Sequence, residues 1–177
     1  MTLGPYFAAA YEHEQLAVMG GSTLRILVDS SVTNGRMLIM RNDAARGSAV
    51  PVHVHQQEDE VFLLLAGALT VWAGEQQRHF SGGDVAFLPR GVPHTYLVTS
   101  VTASILQVMA PGGVEQAFRR AGWDLRTAQP DDWAFVPEAL ATALAKVGCM
   151  ILGPPPSSPS DNPIATQNRS SPRWPTA

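Results

Sequence analysis

Residues 51–67 read PVHVHQQEDEVFLLLAG. Two histidines stand one residue apart, a run of three acids follows, and the chain then turns strongly apolar. In a β-strand, side chains alternate between two faces. His53 and His55 therefore share one face, about 7 Å apart by strand rise. Glu60 opens the apolar run and shares a face with Phe62 and Leu64. Imidazoles at that separation can converge on one ion, and a carboxylate from the next strand can join them. His94, in GVPHTY, offers a fourth ligand. Neutral imidazole nitrogen with one carboxylate suits a divalent first-row ion, Ni, Mn, Co, Fe, Cu or Zn. Glu58 and Asp59 read as solvated turn acids, with Glu58 the alternative ligand. A lone histidine is more often an ordinary polar residue, and His13 and His79, which fit no pattern, read as surface or capping groups.

The surrounding chain has a β texture from about residue 25 to 110. Runs such as TLRILVD, GRMLIMR, ALTVWAG, DVAFLP and ASILQVMA are short and separated by Gly, Asn, Asp and Pro. Such spacing predicts a sandwich or barrel. Within it, Phe62, Leu64 and Leu65 are expected to wall the interior. Phe62, Trp72 and Phe87 read as core, as do Met37, Met40 and Met109, though any of these could line a pocket. After Pro111 the pattern changes. VEQAFRRAG predicts a short helix stopped by Gly122. PEALATALAKVG places Leu140, Ala143, Leu144 and Val147 at helical spacing between Pro137 and Gly148. Residues 153–177 are rich in Pro and Ser and poor in apolar side chains, so a disordered tail is expected. The reading is thus an N-terminal arm over 1–22, a β-barrel over 23–112, a helical segment over 113–152 and a tail over 153–177.

Composition narrows the function classes. Of 177 residues, 45% are apolar and only 15% charged, which fits one domain with a large interior. The net charge of −3 and the scattered Lys and Arg give no footprint for nucleic acid or an anionic membrane. No apolar run is long enough for a membrane-spanning helix. The single cysteine, Cys149, cannot form an internal disulfide and reads as a buried, inert thiol. With no secretory leader visible, a cytoplasmic location is expected. Exposed strand edges need cover, and a homodimer is the expected assembly.

The glycines and prolines around the histidines carry more. The first segment runs Gly47, five residues, His53, one residue, His55, four residues, Glu60, six residues, Gly67. The second runs Gly83, five residues, Pro89, one residue, Gly91, two residues, His94. Here the sequence resembles the cupin superfamily, whose two motifs have this form. Val98 stands where the second motif usually closes with Asn, a position that is not a metal ligand in the family. The resemblance implies a jelly-roll β-barrel, here with short C-terminal helices, and a metal held by His53, His55, Glu60 and His94. More loosely, GPYF, PRGVPHTY, APGGVEQAFRRAG and a late LGPPP are similar to single-domain cupins of the quercetinase-like group.

That second resemblance implies a metal-dependent dioxygenase acting with O2 on a flavonol or related enolisable aromatic, whose ring opens with loss of carbon monoxide. Glu60 would then be both ligand and catalytic base for the substrate's hydroxyl proton, because a metal lowers the pKa of a coordinated enol. The competing expectations are a cupin isomerase or decarboxylase, or a cupin that binds a small molecule without turnover. Retention of all four ligands favours catalysis, and no DNA-reading segment is visible.

Overall fold

The computed structural model describes residues 3–164. Its strands, in chain order, are β1 (Glu14–Ala17), β2 (Thr23–Val28), β3 (Leu38–Ala45), β4 (Val52–His55), β5 (Asp59–Ala66) and β6 (Ala68–Ala73). There follow β7 (Gln76–Ser81), β8 (Val85–Leu88), β9 (His94–Val98), β10 (Thr102–Ala110), β11 (Trp123–Asp124) and β12 (Cys149–Gly153). Two helices, α1 (Glu115–Ala121) and α2 (Pro137–Ala145), interrupt the last part. The strands form two antiparallel sheets, ordered β11-β1-β2-β3-β10-β5-β8 and β12-β4-β9-β6-β7. These face each other as a jelly roll, the expected all-β class with short C-terminal helices.

The large sheet obeys period two almost without exception. Leu38, Met40 and Ala44 on β3, Phe62 and Leu64 on β5, and Ala103, Ile105 and Met109 on β10 are all buried. Three polar side chains occupy the same inward phase: Asn42, Glu60 and Gln107. The outward phase carries an apolar ladder, Ile39–Val108–Val61–Phe87, directly paired across four strands, with Leu106–Leu63–Val85 beside it. Alternation accounts for two departures from expectation. Leu65 is 46% exposed, so it does not wall the interior, and Phe87, at 63%, lies on the outer face of an edge strand.

Helices α1 and α2 roof one end, where Leu140 and Leu144 join Leu24, Met40 and Met109 in one apolar cluster. Gly122 stops α1 as expected; a Cβ there would lie 2.8 Å from the Phe118 carbonyl oxygen. The far end is filled by Phe62, Leu64, Leu69, Val71, Tyr96 and Ile105. Val98 packs there too, and its backbone ties the strand to Gly47 and Ser48.

The segment boundaries differ from the sequence reading. The N-terminal arm contributes β1, whose Leu16 is buried against β2. The helical segment ends in β12, which pairs with β4 and so belongs to the barrel. The tail expected to be disordered from residue 153 packs on the outer face of the small sheet as far as it is described. Ile164 is buried with Val52, Trp72 and Leu97, and Trp72 Nε1 donates to the Asp161 carbonyl at 3.1 Å. The Asp161 carboxylate accepts from the backbone N–H groups of Ser157 and Ser158. The physical reason is that β4, β6 and β9 turn Val52, Trp72 and Leu97 outward, so the outer face also needs cover. Trp174 lies outside the described residues.

Candidate metal centre

His53 and His94 are directly opposite across β4 and β9, and His55 lies two residues along from His53. Glu60 enters from β5 on the facing sheet. Two contacts fix the turns that deliver these side chains. Gly91, at φ 79°, donates its N–H to the His55 carbonyl at 2.8 Å, a left-handed turn suited to glycine. Arg90 forks onto the Asp59 carboxylate through Nε and a terminal nitrogen at 3.0 and 2.8 Å. Asp59 is thus the partner of Arg90, which holds its carboxyl down to about 2.

The four predicted ligands converge. Their ligand atoms all lie within 4.8 Å of one another, and His55, Glu60 and His94 are buried. Glu60 Oε2 lies 3.1 Å from His94 Nε2 and 3.5 Å from His55 Nε2. The outer nitrogens are engaged: His53 Nδ1 donates to the Pro51 carbonyl and His94 Nδ1 to the Val92 carbonyl, both at 2.9 Å. Each ring therefore turns Nε2 inward in one fixed tautomer. First-row ions bind nitrogen and oxygen at about 2.0–2.2 Å, so this set needs little movement to close on one.

Electrostatics fit a cation between these groups. Burial, then the neighbouring His94 and His55, push His53 down to about 3, so it is neutral. Burial opposes charge on His55, but Cys149, Glu58 and Glu60 outweigh it and raise its pKa to about 12. Burial likewise opposes ionisation of Glu60, yet His55 and His94 hold it well below the usual carboxylate range. In the metal-free protein a proton on His55 thus supplies the positive charge that Glu60 faces.

Three neighbours complete the centre, and of these the sequence offered only Glu58, as an alternative ligand. Gln107 Nε2 donates to Glu60 Oε1 at 2.9 Å, leaving Oε2 for the histidines. Glu58 is 3% exposed, not solvated; its Oε2 lies 3.4 Å from His55 Nδ1, and neither atom has another partner. Cys149 is buried and free as expected, but register sets it directly opposite His55. Gln107 carried a readable signal, a polar residue in the inward phase of ASILQVMA.

Beside the cluster lies a cavity of about 250 Å³. Leu24, Met40 and Met109 wall it from the large sheet, and Phe118, Leu140 and Leu144 from the helices. Of the other side chains read as pocket candidates, Phe62 also lines it. Met37 is exposed, and Trp72 faces the outer cover. His79 is hydrogen-bonded to Thr70 Oγ1 at 2.9 Å and plays no part in the centre.

A two-sheet jelly roll with three inward histidines and one glutamate on these strands defines a cupin. Residues 43–109 match the cupin domain family, and the barrel they build is the cupin jelly roll. It is similar to quercetin 2,3-dioxygenase of Bacillus subtilis strain 168, 27% identical over 118 residues, covering 67% of this chain and 35% of that enzyme. Quercetin 2,3-dioxygenase of Aspergillus japonicus is 28% identical over 125 residues, covering 67% and 36%. The matched part thus spans about a third of either enzyme. Among solved structures, KdgF from Halomonas sp. superposes with a TM-score of 0.57 at 19% identity, over 62% of this chain and 96% of that one. That likeness is one of fold. No helix among the described residues is long and apolar enough to cross a membrane.

Proposed function

We propose that the chain is a metal-dependent, quercetinase-like dioxygenase that opens the ring of a flavonol or related enolisable aromatic with O2. One observation carries the reading: three imidazoles and a carboxylate converge within 4.8 Å, and three of these side chains, His53, His55 and Glu60, line an apolar cavity. The similarity to two quercetin dioxygenases supports the substrate class. At about 250 Å³ the cavity is just below the ~300–1,000 Å³ usual for small-ligand pockets, which suits a compact ring system.

His53, His55, Glu60 and His94 would hold a divalent first-row ion, which would act as a Lewis acid and lower the pKa of the substrate's enol. Glu60 is ionised and takes the enol proton onto its carboxylate. Gln107 keeps that carboxylate from rotating by holding Oε1. The apolar walls exclude bulk water, which strengthens each polar contact inside. A homodimer joined through the apolar outer ladder of the large sheet is part of the same proposal, and sedimentation at micromolar protein tests it.

The deciding experiment is oxygen uptake by protein reconstituted singly with Ni, Mn, Co, Fe, Cu or Zn, against a panel of flavonols. Uptake with stoichiometric release of carbon monoxide is expected for at least one pair. Tight metal and flavonol binding without uptake would leave a binding cupin in its place.

A further inference from the structure

The cavity wall carries polar atoms that the metal cluster does not use. Asn42 reaches it from β3 and Tyr96 from β9, on opposite sheets. Asn42 Nδ2 donates to the Tyr96 hydroxyl at 2.7 Å, and the two residues are only 7% and 2% exposed. The donors and acceptors do not match up. Asn42 Oδ1 has no partner. The Tyr96 oxygen accepts from Asn42, while its own proton meets no acceptor among the described residues. Turning the amide over only moves the mismatch, because Tyr96 would then donate to the carbonyl and leave the amide N–H unpaired. Folded proteins keep few such atoms, and each calls for a cause. Of the other unpaired atoms among the described residues, His55 Nδ1 and Glu58 Oε2 face each other, and Ser104 does not line the cavity.

Position suggests the cause. Tyr96 follows His94 by two residues on one strand face, a step of about 7 Å. Phe62 spans that step, its ring centroid 6.1 Å from His94 and 5.8 Å from Tyr96. A phenol hydroxyl is protonated at neutral pH, so Tyr96 has a proton to donate. The pair therefore offers one acceptor and one donor, a ring's width from the metal cluster. A hydroxyl is the smallest neutral group that both gives and takes a hydrogen bond.

We propose that Asn42 and Tyr96 form a hydroxyl-binding subsite, in which a ligand held at the metal cluster by its enol end places a second hydroxyl between Asn42 Oδ1 and the Tyr96 O–H. The subsite rests on the dioxygenase reading above and narrows its substrates to polyhydroxylated members of the class. It makes recognition two-pointed, so that the ligand's orientation is set as well as its affinity.

Anaerobic titration of metal-loaded protein with 3-hydroxyflavone and with quercetin tests this, because only quercetin carries further hydroxyls. Wild type should prefer quercetin by ~10-fold or more, the value of one or two neutral hydrogen bonds. Asn42→Leu and Tyr96→Phe should each bring that ratio close to 1. Ligand-free, the double variant Asn42→Leu/Tyr96→Phe should melt at or above wild type, since it removes unpaired buried atoms. Equal wild-type affinities, a preference that survives both substitutions, or a lower melting temperature of the double variant would each overturn the subsite. If wild type binds neither flavonol, the flavonol reading fails separately. Phenol titrated into metal-free protein then decides: its thermal stabilisation must appear in wild type and vanish in both variants, or the subsite falls too.

Discussion

Glu60→Gln separates a ligand from a base. The substitution keeps the size of a side chain that is 1% exposed, so packing is preserved. It removes the charge that faces His94 Nε2 at 3.1 Å and His55 Nε2 at 3.5 Å. It also changes the contact with Gln107, which now donates to Oε1 at 2.9 Å. If the new amide turns its oxygen toward the histidines, its N–H₂ meets the N–H₂ of Gln107, and Gln107 must rotate to offer its carbonyl. Metal affinity will therefore fall. The diagnostic quantity is turnover per bound ion, measured with an oxygen electrode while metal is counted in the same sample. A general base contributes ~10²–10⁴-fold, equivalent to about 3–5 kcal/mol of barrier. Turnover of quercetin per ion should drop by that factor in Glu60→Gln. His94→Ala is the control: it should lose occupancy, while the ions it retains keep much more of their rate. Undiminished turnover per ion in Glu60→Gln would refute the base role and leave Glu60 a ligand.

Three further outcomes are expected. Metal binding must displace the proton of His55, whose pKa stands near 12, while His53 at about 3 is already neutral and Glu60 already ionised. Affinity should therefore rise about tenfold per pH unit between pH 7 and 8, with one proton released per ion in calorimetry across buffers; a flat profile contradicts the assignment. Glu58→Gln should weaken metal binding ~10–100-fold in a chelator competition, because the carboxylate behind His55 orients the ring and raises its basicity. Ile164→Ala should cost ~2 kcal/mol in chemical denaturation with metal content unchanged, since the side chain is buried over Trp72 and Val52 far from the centre. An unaltered midpoint would mean that the cover on the small sheet is ornamental, as the proline-rich composition had suggested.

The ligands were legible because their positions are fixed locally, by strand phase and by the glycines and prolines of the flanking turns. Asn42 and Gln107 were legible in principle, as polar residues in an inward apolar phase. Glu58 was not. It lies in the turn before β5, where no periodicity operates, and it is buried beside His55, whose other flank is closed by a strand some ninety residues downstream. The cover formed by residues 154–164 was hidden for a related reason. Composition records what a segment can bury by itself, whereas Ile164 and the carbonyl of Asp161 answer an apolar face supplied by β4, β6 and β9. Leu65 and Phe87 show that a run of apolar residues overstates the core. In each, alternation turns every second side chain to the outer ladder, where a partner rather than the interior is the natural neighbour.

The pairing of β12 with β4 also sets a timetable. The last ligand, His94, leaves the ribosome well before Cys149, and at ~5–20 residues per second the interval is about 3–11 s. Throughout it, the strand that bears His53 and His55 has one bare edge, and no Cys149 stands beside His55. An ion captured early meets the ligands without the finished cage. Bare affinity then favours copper, whereas the closed barrel can select by geometry. An ion bound at this centre would accordingly be selected after residue 153 has docked, or by order of arrival.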